Sequence, residues 1–483
     1  MKYVIGLDLG TTTIKATVFD ERGAFVADSS IERQLILHGE NFIEQNANEW
    51  VTDSADMIRK AVEKGGISGA DVAGISISSQ GITVVPVDEN GNTLYNAINW
   101  MDLRPAKELA RLVAVFPKEA LAAVTGKGGT SPAYSITKYM WIKNHLPDIY
   151  EKAKYFLMPM DFVIMKLTGT YVTDHSMAAG SMCYSLKDRD WSEEILEAAD
   201  IRRDILPEIR WSGESAGHLL PEMAEMCGLT TDCIVAVGGQ DQKVAAHGAR
   251  IAKDVVTLSL GTCGAFEFLL DQPDKDPSVG LTLCPHVEEG KWVMEGCINT
   301  VGGAIKWVRD VICTGLSYDD VDELAESAPV GSHGVLFYPH LAGSGTPHPN
   351  AETQTGIYRG LSLQSDRGDL CRALFEGIAC ECRLNIAEAE RVVGHIRQIN
   401  AFSGGSRASI LCQILADVTG CTVRAYRYPE MGNLGAARLA AQAAGLDTEE
   451  FGKALLDDYV DYEPGKDKAA YEAVFREYCR RMS

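Results

Sequence analysis

A short stretch near the start of the chain decides the fold: Val4-Ile5-Gly6-Leu7-Asp8-Leu9-Gly10-Thr11-Thr12-Thr13-Ile14-Lys15. Strand-forming apolar residues run up to Gly10 and resume at Ile14, which predicts a β-hairpin with a Gly-Thr-Thr turn. Such a turn can hold phosphate, because glycine lets an anion approach the backbone while threonine hydroxyls and main-chain N–H groups donate to it. Asp8 could then hold Mg²⁺ through water. A tight hairpin with a solvated aspartate explains this stretch alone equally well.

A second copy of the hairpin motif lies half a chain away. The run Leu258-Ser259-Leu260-Gly261-Thr262-Cys263-Gly264 repeats the pattern of residues 7–13 between two strand-like segments. Duplicated domains can face each other across a cleft, so that each turn holds one side of a nucleotide's phosphates. Ser259 stands where the first copy has Asp8, so only the first hairpin can supply a metal-linked carboxylate.

Length and composition favour two domains and argue against several classes of partner. A chain of 483 residues is too long for one ordinary core. Its formal net charge of −22 argues against binding to nucleic acid or to an anionic membrane. An anionic nucleotide must therefore be attracted locally, by Mg²⁺, loop amides and helix N-termini. The sequence has no apolar stretch of about 18 residues free of charge and turn residues, so no membrane span is expected.

The thirteen cysteines favour a reducing compartment. Their number is odd, they are scattered, and no Cys-x-x-Cys or zinc-type histidine spacing occurs. We expect reduced, mostly buried thiols. Because Asp8 interrupts the apolar amino-terminal segment, no signal peptide is expected and the predicted location is the cytoplasm.

Two predicted strands of the first half end in residues that suit a polyol or sugar. Residues 72–77 form a buried-type strand that ends in Ser78-Ser79-Gln80-Gly81. Gln80 could hydrogen-bond a polyol or be an ordinary turn residue. Residues 94–100 predict another strand, which leads into the run Trp100-Met101-Asp102-Leu103-Arg104. An acid and a guanidinium beside an indole suit a sugar, and an ordinary ion pair at a helix start is the alternative.

Asp241 follows a third strand of the first half. Residues 233–237 are apolar and run into Gly238-Gly239-Gln240-Asp241-Gln242, after which a helix is predicted from about Gln242 to Gly248. This places Asp241 at a strand-to-helix corner. The carboxylate can cap the helix, a use worth about 1 kcal/mol, or stand at the mouth of a cleft. Both can hold at once.

The remainder of the first half is mostly helical. Residues 48–64 show helical spacing, and Gly65-Gly66 ends the helix. The run at 174–180 lacks periodicity and is predicted to be a loop. His175 in this loop could touch a ligand, although a lone loop histidine usually does not.

The second half is predicted to begin after a domain boundary at residues 249–254. A strand at 398–402 leads into Ser403-Gly404-Gly405-Ser406, where bare backbone could receive adenine or ribose, with a plain strand-turn-helix as the alternative. Residues 432–437 begin a small-residue helix suited to close packing across the cleft. Further predictions are strands at 281–284 and 292–295, helices at 299–311 and 366–393, a loop at 343–349, and helical structure after 446.

Together these motifs resemble the FGGY carbohydrate kinases, which are sugar kinases of the actin-like ATPase fold. The resemblance runs from Tyr3 to about Gly445 and rests on the order and spacing of motifs that are each weak alone. The motifs are Asp8-x-Gly10-Thr11-Thr12, Trp100-x-Asp102-x-Arg104, Lys138-Tyr139-x-Trp141, Gly238-Gly239-x-Asp241-Gln242, Gly261-Thr262, Gly356-x-Tyr358-x-Gly360-Leu361, Ser403-Gly404-Gly405 and Gly432-Asn433-Leu434-Gly435-Ala436.

The resemblance implies an α/β fold of two ribonuclease-H-like domains around a central cleft, as in the actin, hexokinase and chaperone ATPase superfamily. Residues 1–249 would form the N-terminal domain, with the sugar site, the metal-linked hairpin and the catalytic aspartate. Residues 254–483 would form the C-terminal domain, with the second phosphate hairpin and the adenosine site. The implied reaction is transfer of the γ-phosphoryl group of Mg·ATP to a sugar hydroxyl.

The resemblance also assigns roles to single residues. Asp241 would be the catalytic base, and Asp8 would serve Mg²⁺. The residues implied to face the sugar are Gln80, Gly81, Trp100, Asp102, Arg104, Asp241 and Gln242. The residues implied to hold ATP are Gly10, Thr11, Thr12, Lys15, Gly261, Thr262, Gly404, Gly405, Ser406 and Asn433.

Departures from the family pattern bear on the acceptor. Xylulokinases often carry Met-His-Gly where this chain has Ser79-Gln80-Gly81, and Gly-Glu-Arg-Thr-Pro where it has Gly343-Ser344-Gly345-Thr346-Pro347. A ketopentose such as xylulose is the expected acceptor, with ribulose, fuculose, erythritol and gluconate as alternatives. Gluconate is less favoured because no extra Arg or Lys pocket for its carboxylate is apparent. Glycerol is less favoured because the Arg-Glu pair of that family branch is absent after Gln80.

A non-catalytic, nucleotide-dependent sugar sensor or clamp on the same fold is the alternative from another class of protein. The position of Asp241 midway between the two hairpins favours catalysis instead. A small-molecule sugar is the expected partner, with no nucleic acid and no membrane. The sequence leaves the oligomeric state open, with a homodimer as one option.

Overall fold

The described residues form two seven-stranded mixed β-sheets, one in each half, with helices packed on them and five smaller sheets of two or three strands. The computed structural model describes residues 1–39, 41–273, 279–348 and 353–482. Within these ranges, no helix combines the length and the apolar composition that crossing a membrane requires.

In its described residues, the first half contributes sixteen strands and ten α-helices. The strands are β1 Tyr3–Leu9, β2 Thr13–Asp20, β3 Phe25–Glu32, β4 Ile36–His38, β5 Phe42–Gln45, β6 Val72–Ser79, β7 Val85–Val87, β8 Ala97–Ile98, β9 Tyr155–Leu157, β10 Val172–Asp174, β11 Tyr184–Ser185, β12 Asp190–Trp191, β13 Glu208–Arg210, β14 Ser215–His218, β15 Ile234–Ala236 and β16 Gly239–Gln240. The helices are α1 Ala47–Gly65, α2 Ala106–Val115, α3 Lys118–Thr125, α4 Ser135–His145, α5 Pro147–Lys152, α6 Pro159–Thr168, α7 His175–Gly180, α8 Glu193–Ala199, α9 Pro221–Cys227 and α10 Asp241–Gly248.

The described part of the second half contributes nine strands and seven helices. The strands are β17 Val255–Leu260, β18 Gly264–Leu270, β19 Thr282–Pro285, β20 Trp292–Ile298, β21 Leu336–Tyr338, β22 Ile357–Arg359, β23 Gln398–Phe402, β24 Thr422–Tyr426 and β25 Tyr459–Tyr462. The helices are α11 Gly302–Trp307, α12 Tyr318–Ser327, α13 Arg367–Val393, α14 Ser409–Thr419, α15 Met431–Ala443, α16 Lys453–Leu456 and α17 Lys468–Met482.

The two sheets share the same central connectivity. In the first sheet the order is β14-β15-β6-β1-β2-β3, with β6 parallel to β1 and β16 beside the end of β6. In the second the order is β19-β20-β18-β17-β23-β24-β25, with β23 parallel to β17. Each sheet therefore contains an antiparallel hairpin flanked by a parallel strand that arrives after a helical crossover.

Both predicted hairpins are present, and the first has one residue more than the second between its last paired residues. Leu9 pairs with Ile14, and the Gly10 N–H donates to the carbonyl of Thr13 at 3.0 Å. In the second copy, Leu260 pairs with Gly264. The duplication inferred from the sequence is therefore a duplication of structure.

Helix α15 comes from the second half but packs on β1 and β6 of the first sheet and along α10. Glycines make this approach possible, because a Cβ at Gly6 would lie 1.9 Å from the carbonyl oxygen of Asn433. A Cβ at Gly435 would likewise lie 2.0 Å from the carbonyl oxygen of Val244. The predicted close packing by this small-residue helix is confirmed. The segment 249–254 lies between α10 and β17, and the domain boundary there stays a prediction.

Helix α13 confirms the long helix predicted in the second half. It follows Asp366, whose side chain accepts from the Asp369 N–H, and it ends at Val393. The helix predicted at 299–311 is present as α11, continued by a π-helical turn at Val308–Ile312. The predicted loop at 343–349 is irregular through His348, and Pro349 lies outside the described residues.

The prediction of a loop at 174–180 is wrong, because residues 175–180 form helix α7. Asp174 caps the helix by accepting from the N–H groups of Ser176 and Met177. This helix has six residues and is buried. Tertiary packing therefore stabilises it, although so short a sequence shows no helical periodicity. His175 is buried with it, its Nδ1 lying 2.8 Å from the Tyr184 hydroxyl.

Two further predictions differ from the structure. The strand predicted at 94–100 is limited to β8, because only Ala97 and Ile98 pair with the end of β5. The region after 446 is not purely helical, because β25 adds an antiparallel edge strand beside β24. All thirteen cysteines are free thiols and ten of them are buried, as expected.

Candidate active site

Asp8 lies on β1 just before the first hairpin turn. Its Oδ1 accepts a 2.8 Å hydrogen bond from the Ser78 hydroxyl near the end of β6. Gly432 lies alongside, where a Cβ would stand 3.6 Å from this oxygen. Burial raises the pKa of Asp8 to about 7, and the nearby carboxylates of Asp241 and Glu430 add to the shift. A cation would therefore stabilise the ionised form of Asp8.

A cluster of uncharged polar side chains joins the first hairpin to Trp100. The indole N–H donates to Thr11 Oγ1 at 2.8 Å, and this hydroxyl donates to Gln80 Oε1 at 3.3 Å. Gln80 Nε2 donates to Gln45 Oε1 at 3.1 Å, and Asn99 Nδ2 donates to the same oxygen at 2.8 Å. Trp100 keeps 38 % of its surface exposed, so the ring is open to a ligand. Predicted sugar residues and a predicted phosphate residue thus share one network.

Asp102 and Arg104 form an ion pair, which was the alternative to sugar binding in the sequence analysis. Arg104 Nη2 donates to Asp102 at 2.7 Å and to Glu44 at 2.9 Å. Asp102 also accepts from the Ile43 amide at 2.7 Å, and the guanidinium lies 4.0 Å over the Phe42 ring. Both side chains of the pair are buried. Arg104 Nη1 has no partner among the described residues, and direct contact with a sugar stays a prediction.

Asp241 is the first residue of α10, directly after β16. The N-cap is Gln240 rather than Asp241, since the Gln240 side chain accepts from the Gln242 N–H at 3.1 Å. The Gln240 N–H donates in turn to Ser176 Oγ at 2.9 Å, which fixes the corner. Asp241 is half-buried, and burial raises its pKa to about 6. A carboxylate with this pKa is ionised at neutral pH and can accept a proton.

Lys243 connects the helix of Asp241 to the second sheet. Its buried ammonium pairs with Glu267 on β18 at 3.1 Å and with Glu295 on β20. Burial is the largest cause of the raised pKa of Asp241. The charge of Lys243 lowers this pKa, and the charge of Glu295 raises it. The buried ion cluster therefore seats α10 on the strands that carry the second hairpin. Asp241 is thus joined through Lys243 to the sheet that carries the second hairpin, and its charge raises the pKa of Asp8.

The second hairpin turn, residues 261–263, lies against the N-terminus of α11. The N–H groups of Gly302 and Gly303 donate to the carbonyls of Gly261 and Thr262 at 2.9 and 3.0 Å. A Cβ at Gly302 would stand 2.6 Å from the Gly261 oxygen, so only glycine allows this approach. Thr262 is exposed at the tip and open to a ligand.

The predicted adenosine residues lie on a 3₁₀ turn, Gly404–Arg407, beside β17. Gly404 is exposed and faces open space, whereas a Cβ at Gly405 would stand 2.9 Å from the Leu260 oxygen. Ser406 is buried, and its hydroxyl donates to the Ser403 carbonyl at 2.8 Å. Bare backbone is thus presented next to the second hairpin, as the sequence suggested.

Lys15 and Asn433 are engaged with the protein itself. Lys15 Nζ pairs with Glu430 at 3.0 Å and with Asp28 at 3.3 Å. The buried Asn433 amide donates to the carbonyls of Gly6 at 2.9 Å and Lys15 at 3.0 Å. These contacts attach α15 to the first hairpin. Nucleotide contact by either residue stays a prediction.

The sequence analysis did not single out Gln45, Asn99 or Ser176. Gln45 ends β5 and Asn99 directly follows β8, so both are polar residues at strand ends. A polar residue at the end of a strand is also the feature that singled out Gln80 in the sequence. The same criterion, applied to strands as short as β5 and β8, would have identified Gln45 and Asn99. Ser176 could have been recognised from its place after the capping residue Asp174.

Family models match both halves of the chain. The N-terminal domain of the FGGY family of carbohydrate kinases matches residues 3–248, and the C-terminal domain of that family matches residues 256–444. The xylulose kinase of Bacillus subtilis (strain 168) is 28 % identical over 482 residues, which span 99 % of this chain and 96 % of that protein.

Two solved structures from Lactobacillus acidophilus superpose on nearly the whole molecule. A ligand-bound xylulose kinase gives a TM-score of 0.92 at 26 % identity, covering 99 % of this chain and 97 % of that one. A gluconate kinase gives a TM-score of 0.91 at 26 % identity with the same coverage. The expected two-domain actin-like α/β fold is therefore confirmed. The chain belongs to the FGGY family of carbohydrate kinases, phosphotransferases that act on an alcohol group.

Proposed function

We propose that this kinase transfers the γ-phosphoryl group of Mg·ATP to a hydroxyl of a ketopentose, xylulose being the first choice. The similarity to xylulose kinases supports the choice of sugar. The observation that carries the catalytic proposal is the position of Asp241. This half-buried carboxylate begins α10, and its charge raises the pKa of Asp8. On the same helix, Lys243 pairs with Glu267 on β18 of the second hairpin.

Asp8 is the residue proposed to hold Mg²⁺. It fits the ion because its ionised form has carboxylate neighbours and no hydrogen-bond donor other than Ser78 among the described side chains. When bound, Mg²⁺ would neutralise charge on the transferring phosphoryl group. Mg²⁺ commonly uses one or two carboxylates together with substrate phosphates, so a single aspartate suffices.

The chain's own residues supply the remaining steps. Asp241 would accept the proton of the attacking hydroxyl as its oxygen bonds to the γ-phosphorus, while the bond from that phosphorus to the β–γ bridging oxygen breaks and ADP leaves. The Gln242 N–H donates to Asp241 Oδ1 at 2.7 Å and so aims the carboxylate. Main-chain N–H groups of the turns at 10–12 and 261–263 would hold the phosphates, and Trp100 would stack on the sugar.

Gluconate is the second candidate acceptor. The gluconate kinase from Lactobacillus acidophilus matches this fold as well as the xylulose kinase does. The Arg104 side chain is 1 % exposed and is paired with Asp102 and Glu44, so it offers a substrate carboxylate no accessible donor. We rank gluconate below xylulose for this reason.

We also propose that the reaction takes place in the cytoplasm, which agrees with thirteen unpaired thiols. A homodimer is kept as the proposed assembly, to be checked by light scattering on the purified protein.

A panel of acceptors tests the proposed function. ADP release would be measured with xylulose, ribulose, fuculose, erythritol, gluconate and glycerol, with sugar-free ATPase activity as the control. We expect the highest kcat/KM with xylulose and dependence on Mg²⁺. Higher kcat/KM with gluconate would reassign the acceptor. Tight ATP binding without turnover on any acceptor would favour a clamp or sensor.

A further inference from the structure

Three side chains that the kinase reaction does not use converge in the second half. His340 follows β21, His348 lies in the loop predicted at 343–349, and Glu381 is in the middle of α13. His340 Nε2 lies 3.0 Å from Glu381 Oε1, and His348 Nε2 lies 2.6 Å from Glu381 Oε2. One ligand atom from each side chain lies within 4.8 Å of the others. A tetrahedral centre with bonds near 2 Å separates its ligand atoms by about 3.3 Å, which is within this range.

The burial of this cluster calls for a positive charge. Glu381 is fully buried, His340 is 2 % exposed, and the His348 side chain is 11 % exposed. Among the described residues, the ion-pair partners of Glu381 are these two imidazoles, which carry charge only when protonated. A buried carboxylate without a lysine or arginine partner is costly unless another cation compensates it. A divalent metal ion would supply that charge.

We propose that His340, His348 and Glu381 form a binding site for a divalent transition metal, with Zn²⁺ as the ion that best suits the ligands. Two imidazole nitrogens and one carboxylate favour Zn²⁺, whereas Mg²⁺ prefers oxygen ligands. The partly exposed His348 provides the route of entry, and water would complete the coordination. The buried Tyr478 hydroxyl donates to Glu381 Oε1 at 2.6 Å and so orients the carboxylate, as outer-shell partners of metal ligands do.

The metal would attach the loop that precedes His348 to helix α13. Asn385, one turn after Glu381, already donates to the Thr346 carbonyl at 2.8 Å. Gly345 in the same loop pairs with Ile298 at the end of β20. A metal at Glu381 would therefore fix the loop at a second point beside the strand that carries Glu295. No sequence motif marks this site, because its ligands come from separate segments and lack zinc-type spacing.

Zinc titration of the intact, tag-free protein tests the proposal. After removal of metals with EDTA, calorimetry would measure Zn²⁺ binding to wild type, His348→Ala and the control His395→Ala. His395 is 82 % exposed, lies outside the proposed site and pairs with Glu390. We expect about one Zn²⁺ per chain, bound equally by the control. His348→Ala should bind more than about 100-fold more weakly, beyond the loss typical of a residue that only orients a ligand.

Cobalt substitution separates this site from cysteine ligation. One equivalent of Co²⁺ should give visible d–d bands in wild type that disappear in His348→Ala, without thiolate charge-transfer bands. Equal Zn²⁺ binding by wild type and His348→Ala would overturn the proposal. So would thiolate bands, which would assign the metal to the exposed Cys263 or another thiol. His348 is on a loop and partly exposed, so its replacement should leave the fold intact, which the unfolding midpoint in EDTA would check.

Discussion

The Ser78 hydroxyl donates a 2.8 Å hydrogen bond to Oδ1 of Asp8. The two residues are register partners on the parallel strands β6 and β1, near the ends where both strands finish. Polar residues at this edge of a sheet point toward the ligand crevice. The hydrogen bond therefore fixes the carboxylate that is proposed to hold Mg²⁺.

Replacement of Ser78 by alanine should weaken the use of Mg²⁺. The hydrogen bond from Ser78 lowers the pKa of Asp8 against the effect of burial, so its loss disfavours the ionised ligand. We expect the Mg²⁺ concentration for half-maximal activity to rise about 10- to 100-fold. Ser76→Ala is the matched control, because this buried hydroxyl on the same strand has no hydrogen-bond partner within the described part of the chain. Identical Mg²⁺ titrations for both variants would contradict the role of Ser78.

The pH profile should report Asp241. A base must be deprotonated, so kcat at saturating Mg·ATP, where bound Mg²⁺ keeps Asp8 ionised, should fall tenfold per unit as the pH drops below about 6, the raised pKa of Asp241. Burial is the largest cause of the shift, and the charge of Glu295 adds to it. Glu295→Gln should therefore lower the pKa of Asp241 and move the acid limb to lower pH. Glu193→Gln, on the exposed face of α8, is the control and should leave the acid limb of the pH profile in place. An acid limb that does not move in Glu295→Gln would rule out the electrostatic coupling between Glu295 and Asp241.

Asn433→Ala should destabilise the fold. Two buried carbonyls, of Gly6 and Lys15, lose their amide donor, which costs about 2 kcal/mol of the free energy of unfolding. Thermal unfolding should show a lower midpoint for this variant than for Gln442→Ala, an exposed change on the same helix. A raised KM for ATP with an unchanged midpoint would instead indicate direct nucleotide contact.

Local sequence signals predicted the elements whose determinants are local. The hairpins follow from glycine turns between apolar runs, and α13 follows from the Asp366 cap and helical periodicity up to Val393. Helix α7 was missed because six residues are too few for periodicity and burial holds them in place. The edge strand β25 was missed because its partner, β24, lies more than thirty residues earlier in the chain.

Side-chain partners across the site could not be predicted in the same way. The sequence singled out Gln80 and Trp100, but not the Gln45 and Asn99 amides that join their hydrogen-bond network. The link from Lys243 to Glu267 and Glu295 depends on how α10 lies on the second sheet. Such contacts depend on packing between distant segments, which composition and periodicity do not encode.

Turnover by Asp241→Asn is the most direct measurement of whether this carboxylate is the base. Asp322→Asn is the matched control, because Asp322 on α12 also has a pKa raised to about 6 by burial but lies outside the candidate site. We expect kcat with xylulose and Mg·ATP to fall about 10²- to 10⁴-fold in Asp241→Asn and to be unchanged in the control, with nucleotide binding retained in both. Near-normal kcat in Asp241→Asn would contradict the assignment of Asp241 as the base.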